Sequence, residues 1–168
     1  KHVVVSVGGL RETDMYDEEK ARIFNDTNNR LKSIVVPQGV EIGYGAFNSL
    51  SKLKTVIIAD NCSIINDYAF AGCRNLQNVR CGTDNEFIGK NAFANCVSLN
   101  NVHFSNKLNY IGDFAFFNCS EFTLIDEFPN TLSYVGNYAF ANCESIETLN
   151  MQNTITEKIG NYAFHNCI

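Results

Sequence analysis

The sequence predicts an α/β repeat solenoid, with a parallel sheet on its concave side and short helical turns on its convex side. The first observation is that the dipeptide Ala-Phe occurs six times. Its phenylalanines, 23 or 24 residues apart, are Phe47, Phe70, Phe93, Phe116, Phe140 and Phe164. The second observation is that other apolar residues recur at fixed distances from each phenylalanine. Such periods are typical of repeat proteins, whose units bury their apolar faces by stacking on copies of themselves.

A short helix is predicted around each Ala-Phe pair. In the second unit, Ile65, Ala69 and Cys73 recur every four residues, which places them on one inward stripe of a helix. The residue before the cysteine position is mostly Gly or Asn, which readily adopt the left-handed conformation in which helices end. The residues at this position are Ser49, Gly72, Asn95, Asn118, Asn142 and Asn166. Each helix is therefore expected to last only about two turns.

A short strand is predicted after each helix. Val79 and Cys81 in one unit, and Val102 and Phe104 in the next, are separated by one residue. This alternation is expected when every second side chain of a strand points into the core. Because each strand is joined to the next by a helical return, the strands should be parallel neighbours.

The residues between the inward positions should form exposed rows across this sheet. One row is predicted to contain Val35, Ile57, Arg80, His103, Asp126 and Asn150. A second is predicted to contain Ser33, Thr55, Asn78, Asn101, Leu124 and Thr148, and a third Pro37, Ala59, Gly82, Ser105, Phe128 and Gln152.

These rows suggest a binding surface and no enzyme. Arg80, His103 and Asp126 should lie on adjacent strands, and with Ser105 they include residue types found in catalytic sets. An open sheet, however, has no pocket that excludes water or positions a substrate. We therefore predict no catalytic residues, and a polar ladder available to a protein partner. The candidate protein-binding residues are Arg80, His103, Asp126, Asn150, Asn78 and Asn101.

Seven cysteines raise the question of disulfides and metals. Five occur once per unit at the same inward position: Cys73, Cys96, Cys119, Cys143 and Cys167. The other two, Cys62 and Cys81, occupy columns otherwise filled by apolar residues. We predict that they are small buried residues. A disulfide between neighbouring units stays an alternative, since it needs Cα atoms about 4.4 to 6.8 Å apart. Cys-x-x-Cys spacing is absent, so we expect no metal, and no motif indicates a cofactor.

Aromatic residues indicate a second candidate surface, on the helical side. The residues before each alanine are Gly45, Tyr68, Asn91, Phe114, Tyr138 and Tyr162. Rings in a row can anchor a partner protein. Alternatively, they pack on one another between units and leave only hydroxyls in water. We favour the second interpretation.

Composition excludes other classes of partner. A net charge of −5 argues against nucleic acid. No run of 18 apolar residues occurs, so we expect no transmembrane segment.

Residues 1–30 do not fit the repeat and are predicted to form an irregular N-terminal cap unit. Val3, Val5 and Val7 alternate as in a strand. Residues 31–168 are predicted to hold six Ala-Phe units, the last one truncated, and we expect the chain to be a fragment of a longer protein.

The whole unit reads Leu-x-x-Val-x-Ile, then Ile-Gly-x-x-Ala-Phe-x-x-Cys-x-x-Leu. It closely resembles the BspA-type leucine-rich repeat, found in surface and secreted proteins. Four residues depart from the pattern: Leu50 at a cysteine position, Asn66 at a glycine position, and Asn85 and Thr156 in an apolar loop column.

The resemblance implies a solenoid of the leucine-rich-repeat type. It also implies adhesion or binding to a protein or extracellular-matrix partner, at the cell surface or after secretion, with no catalytic residues. The alternative hypothesis is an intracellular structural scaffold, cytoplasmic or cytoskeletal, within a larger assembly.

Overall fold

The computed structural model describes residues 3–4, 31–123 and 127–167. The described residues form ten short strands, arranged in two parallel sheets of five strands each. The strands are β1 (Val3–Val4), β2 (Ser33–Val36), β3 (Thr55–Ile58), β4 (Ile64–Ile65), β5 (Asn78–Arg80), β6 (Phe87–Ile88), β7 (Asn101–His103), β8 (Tyr110–Ile111), β9 (Tyr134–Val135) and β10 (Lys158–Ile159). We call each circuit of the chain around the solenoid a coil.

The first sheet, in the order β1-β2-β3-β5-β7, contains the strands that the sequence predicts. Its strands pair in parallel, with Val79 beside Val102 and Arg80 beside His103. Both valines are buried, whereas Arg80 and His103 are exposed, so the predicted alternation is confirmed. β1 pairs with β2 at this sheet's edge. The rest of the predicted cap unit, residues 1–30, lies outside the described residues.

The second sheet, in the order β10-β9-β8-β6-β4, was not predicted. Each of its strands is two residues long and ends at the Ile or Val that precedes the Gly or Asn of the repeat. Ile65, Ile88 and Ile111 point inward and are fully buried. Ile65, a member of this column, was predicted above to lie at the start of a helix. In the structure, this position is the inward-pointing residue of a strand.

The predicted helices are wrong: the described residues contain no helix, and turns occupy the Ala-Phe segments. Within one such segment, Phe70 and Gly72 donate their backbone N–H groups to Ala92 and Ala94 of the next coil, at 2.7 Å. Ala71, between them, donates instead to Tyr68 of its own coil, at 3.1 Å. An α-helix requires every N–H to reach the carbonyl four residues earlier. In these turns, every second backbone N–H group instead donates to a carbonyl oxygen of the next coil, so no helix forms.

Two left-handed residues, four apart, shape each of these turns. The position before the cysteine has positive φ in every unit, as predicted; φ is 73° at Gly72 and 58° at Asn118. The position before the alanine also has positive φ in every unit; φ is 56° at both Tyr68 and Phe114. Positive φ is uncommon for aromatic residues. In this conformation, the Tyr68 and Phe114 N–H groups donate to the Lys90 and Asn137 carbonyl oxygens of the next coil, at 2.9 Å each.

The phenylalanines of the Ala-Phe pairs form one continuous stack through the core, which we call the phenylalanine spine. Successive ring centroids are 5.0 to 5.3 Å apart, with interplanar angles of 18° or less. Phe47 to Phe140 are at most 1% exposed. Phe70, Phe93, Phe116 and Phe140 are thus covered on both faces by neighbouring rings, as stacking of like units requires.

The cysteines pack beside this spine, and all seven are free. Six are buried, as predicted, whereas Cys167 is only half-buried. Each thiol of the repeated position also donates to the carbonyl oxygen of the spine phenylalanine one coil earlier. The Cys73, Cys96, Cys119, Cys143 and Cys167 Sγ atoms lie 3.1 to 3.2 Å from these oxygens. The column is therefore more than a set of small apolar side chains.

Candidate protein-binding surface

The outer side of the first sheet brings four of the predicted site residues together. Asn78 pairs in register with Asn101, and Arg80 with His103. Because Val79 and Val102 point into the core, their strand neighbours must point outward. We call these four residues the polar face.

The polar face is shallow and hydrogen-bonded along its surface. Arg80, His103 and the adjoining Cys81 and Phe104 line an open depression of about 430 Å³. Asn101 Nδ2 lies 3.4 Å from His103 Nε2. The arrangement offers a guanidinium and an imidazole on adjacent strands, and both can donate to a partner's carboxylate or carbonyl oxygen.

Fixed charges border the polar face on the loops that follow the strands. Thr83 donates to Asp60 Oδ1 from its backbone and its hydroxyl, at 2.9 Å each, and these bonds lower the pKa of Asp60. The Lys107 ammonium pairs with Asp84, which lowers the pKa of Asp84 and raises that of Lys107. Each contact joins neighbouring coils. The rim is therefore a set of charged groups tied to the fold.

One described site residue that was predicted does not join this cluster. Asn150 is exposed and lies outside the described strands, and its side chain donates to Glu127 Oε1 at 3.0 Å. Asp126 lies outside the described residues.

The third predicted exposed row is wrong at three positions, because Gly82, Ser105 and Phe128 are buried. Ser105 and Phe128 are each only 3% exposed. Ser105 Oγ donates to the Thr83 carbonyl at 2.8 Å and accepts from Lys107 N at 3.0 Å. Ser105 lies two residues past the end of β7, where the chain has left the sheet and the side chain is directed inward. The Ser105 hydroxyl is a structural hydrogen-bonding group between coils.

An aromatic row on the second sheet was missed by the sequence analysis. Phe87, Tyr110 and Tyr134 lie on adjacent strands with ring centroids 4.4 and 4.6 Å apart and nearly parallel planes. We call them the sheet row. Each immediately precedes the inward Ile or Val, so reading that column as a strand would have placed them on its outer side.

The aromatic residues of the turns form a second stack, which we call the turn row. Phe114, Tyr138 and Tyr162 stack at 5.0 and 5.1 Å. Phe114 and Tyr138 are half-buried and Tyr162 is 61% exposed. The packing between units that was favoured above is confirmed for these three rings, but Tyr162 exposes more than its hydroxyl group.

Residues 3–4, 31–123 and 127–167 contain neither a metal-binding cluster nor a membrane-spanning helix. No three His, Cys, Asp or Glu side chains there converge as ligands for a metal ion. None of the described segments is a helix long and apolar enough to cross a bilayer.

The repeat defines the class of this protein, a parallel-sheet solenoid of leucine-rich-repeat type. A family model for the BspA type leucine-rich repeat region matches residues 40–168 in six copies. The chain belongs to this family. No curated protein matches the chain.

Solved structures support the fold. A leucine-rich repeat protein from Eubacterium ventriosum is 26% identical, with a TM-score of 0.67 over 73% of this chain and 33% of that one. The leucine-rich repeat protein of T. pallidum is 23% identical, with a TM-score of 0.63 over 81% and 60%. A leucine-rich cell surface protein from Faecalibacterium prausnitzii is 22% identical, with a TM-score of 0.53 over 76% and 40%. The chain thus spans between one third and three fifths of the length of these proteins.

Proposed function

We propose that this chain is a non-catalytic protein-binding module of a cell-surface or secreted protein. Its partner is a protein or an extracellular-matrix component, which binds across the polar face and its rim.

The adjacency of Arg80 and His103 on neighbouring strands carries this proposal. Both side chains are exposed, and both stand on backbone fixed by parallel pairing. A partner therefore meets donors whose spacing is set in advance, which reduces the entropy lost on binding. The shallow, open shape suits a macromolecular surface better than a small molecule, which binds in an enclosing cleft.

The comparisons support the same class of function. Leucine-rich repeats of this type suggest a protein-interaction module. One structural neighbour is described as a cell surface protein, and this supports the proposed location.

Charge reversal on the polar face tests the binding site. Arg80→Glu should weaken binding to the partner about tenfold or more, equivalent to about 1.4 kcal/mol, and leave the melting temperature nearly unchanged because the side chain is exposed. The measurement is biolayer interferometry against a panel of purified extracellular-matrix and cell-surface proteins. Lys52→Glu, the same reversal at an exposed turn residue, is the matched control. Equal affinities of the two variants for the partner would contradict the assignment of the site.

Labelling of whole cells tests the proposed location against an intracellular scaffold. Antibodies raised against the chain should label intact, unpermeabilised cells or detect the protein in the medium. Signal confined to permeabilised cells would favour the scaffold.

A further inference from the structure

The second sheet and the adjoining turns carry a surface that is chemically different from the polar face. The sheet row and the turn row run side by side along the solenoid. Between them lies a column of polar residues, one per coil: Asp67, Lys90, Asp113, Asn137 and Asn161. We call these three columns together the aromatic face.

Hydrogen bonds between coils hold the central column in register. Asp67 Oδ1 accepts the backbone N–H of Lys90 at 2.7 Å, and Asp113 Oδ1 accepts that of Asn137 at 2.7 Å. Neither carboxylate has a salt bridge within the described part of the chain. Each therefore keeps its second oxygen available beside the rings, on either side of the exposed Lys90 of the same column.

Further acidic residues border the sheet row on its other side. The border column is linked by backbone hydrogen bonds from coil to coil and contains Ser63, Glu86, Asn109, Ser133 and Glu157. Glu86 and Glu157 are exposed. An open depression of about 380 Å³ lies at one end of the sheet row, beside Glu86 and Phe87. The sheet row is thus flanked by carboxylates on both sides.

The environment of the sheet row affects the ionisation of Tyr110. Burial, and then the neighbouring Tyr134, Asp113 and Asp67, raise the pKa of Tyr110. At the end of the row, the Lys158 ammonium lies 5.5 Å from the centre of the Tyr134 ring. This surface already accommodates one cation, supplied by the chain itself.

The stacking of the rings limits what else can bind. Tyr110 is covered on both faces by Phe87 and Tyr134. The outer faces of those two rings lie towards Ile64 and Lys158, their partners on β4 and β10, so the row presents edges and hydroxyl groups to solvent. A flat ligand or a sugar ring would need an open ring face. Ring edges instead suit the aliphatic stems of Lys and Arg, which pack along apolar surface while their charged ends reach polar groups.

We propose that the aromatic face binds an extended basic segment of a partner protein, with Lys or Arg side chains lying across the sheet row and pairing with Asp67 and Asp113. The spacing fits this occupant. The two aspartates are two coils apart, about 9.6 Å at ordinary strand spacing, and residues three apart in an extended chain are separated by about 10 Å. The segment would run along the solenoid axis with a basic residue at every third position.

A labelled peptide tests the proposal on the full chain. The probe is a fluorescein-labelled peptide of four Arg-Ser-Leu repeats, and its control contains four Glu-Ser-Leu repeats. Fluorescence anisotropy should show saturable binding of the Arg peptide, weaker at high salt, and no binding of the Glu peptide. The combined substitution Asp67→Asn and Asp113→Asn keeps the Oδ1 acceptors and removes two charges, so it should weaken binding by about tenfold.

The matched control removes the same net charge elsewhere. Glu144→Gln with Glu147→Gln alters two exposed residues of another loop and should change affinity by less than about twofold. Arg80→Glu, on the polar face, should not weaken binding of the Arg peptide, so a failure here is distinguishable from a failure of the proposed function. Equal loss of affinity in the aspartate and glutamate variants would overturn the proposal, as would equal binding of both peptides.

Discussion

At the scale of single residues, the cysteine position shows how one side chain can serve both packing and hydrogen bonding. Cys119 is fully buried, and its Sγ donates to the Phe93 carbonyl at 3.2 Å. Leu50 takes this position in the first unit and is also fully buried, but it has no donor. Burial raises the pKa of the Cys96, Cys119 and Cys143 thiols. These three thiols are therefore kept protonated and unreactive.

Loss of one spine ring should destabilise the fold strongly. Phe93 is fully buried between Phe70 and Phe116, at 5.2 Å from each. Phe93→Ala should lower the free energy of unfolding by about 3 to 5 kcal/mol, because it removes a buried ring and leaves a cavity. Urea denaturation followed by circular dichroism measures this loss. The control is Phe117→Ala, at a half-buried ring, which should lower the free energy of unfolding by less. A loss under about 1 kcal/mol for Phe93→Ala would show that its ring is not packed as described.

The thiol of Cys81 should make stability depend on pH. Burial, and then the neighbouring Cys62, raise the pKa of Cys81 from 9.0 to about 12. The unfolded chain releases this proton near pH 9 while the folded chain retains it, so the free energy of unfolding should fall as pH rises from 9 towards 12. Cys81→Ala removes this titration. Its destabilisation should therefore shrink by about 1.4 kcal/mol between pH 7 and pH 10 in urea unfolding. The same destabilisation at both pH values would argue against a buried thiol.

At the scale of elements, close stacking of the coils determines where glycine is needed. A Cβ atom on Gly136 would lie 2.4 Å from Asp113 N and 2.5 Å from Gly112 C. Backbone cannot move away as a flexible side chain can. The glycine of the repeat is therefore required by the neighbouring coil.

Substitution of this glycine should separate the coils locally. Gly136→Ala should lower the free energy of unfolding by about 1 to 3 kcal/mol, as overpacking does. Thermal or urea unfolding measures it. Asn161→Ala, at an exposed residue, should change stability by less than about 0.5 kcal/mol. If Gly136→Ala changed the free energy of unfolding as little as Asn161→Ala, the coils would be further apart than described.

The same elements show what the sequence could and could not predict. The strands of the first sheet were predicted because Val79 and Val102 recur among alternating residues. The helices were wrong because Ile65, Ala69 and Cys73 are spaced as on a helix, although turns of four residues produce the same spacing. The second sheet was missed because a two-residue strand is too short to show alternation. The sheet row went unnoticed for the same reason.

At the scale of the whole molecule, one stack of coils presents two surfaces of different chemistry. The polar face displays Arg80 and His103, and the aromatic face displays carboxylates beside tyrosines and phenylalanines. Columns repeated every 23 or 24 residues predicted that outward residues would form rows. How far along a coil the outward residues stay exposed depends on where the chain leaves the sheet and turns inward. His103 lies before this point and is exposed, whereas Ser105 lies after it and is buried.

The most direct test of the coil stack is a nuclear Overhauser measurement between phenylalanine rings. With ring-selective labelling, Phe93 should show contacts to both Phe70 and Phe116, since its ring centroid lies 5.2 Å from each. Neighbouring rings along the phenylalanine spine should give the same chain of contacts from coil to coil. Rings that show contacts only within their own repeat would contradict the stacked solenoid, and with it both proposed surfaces.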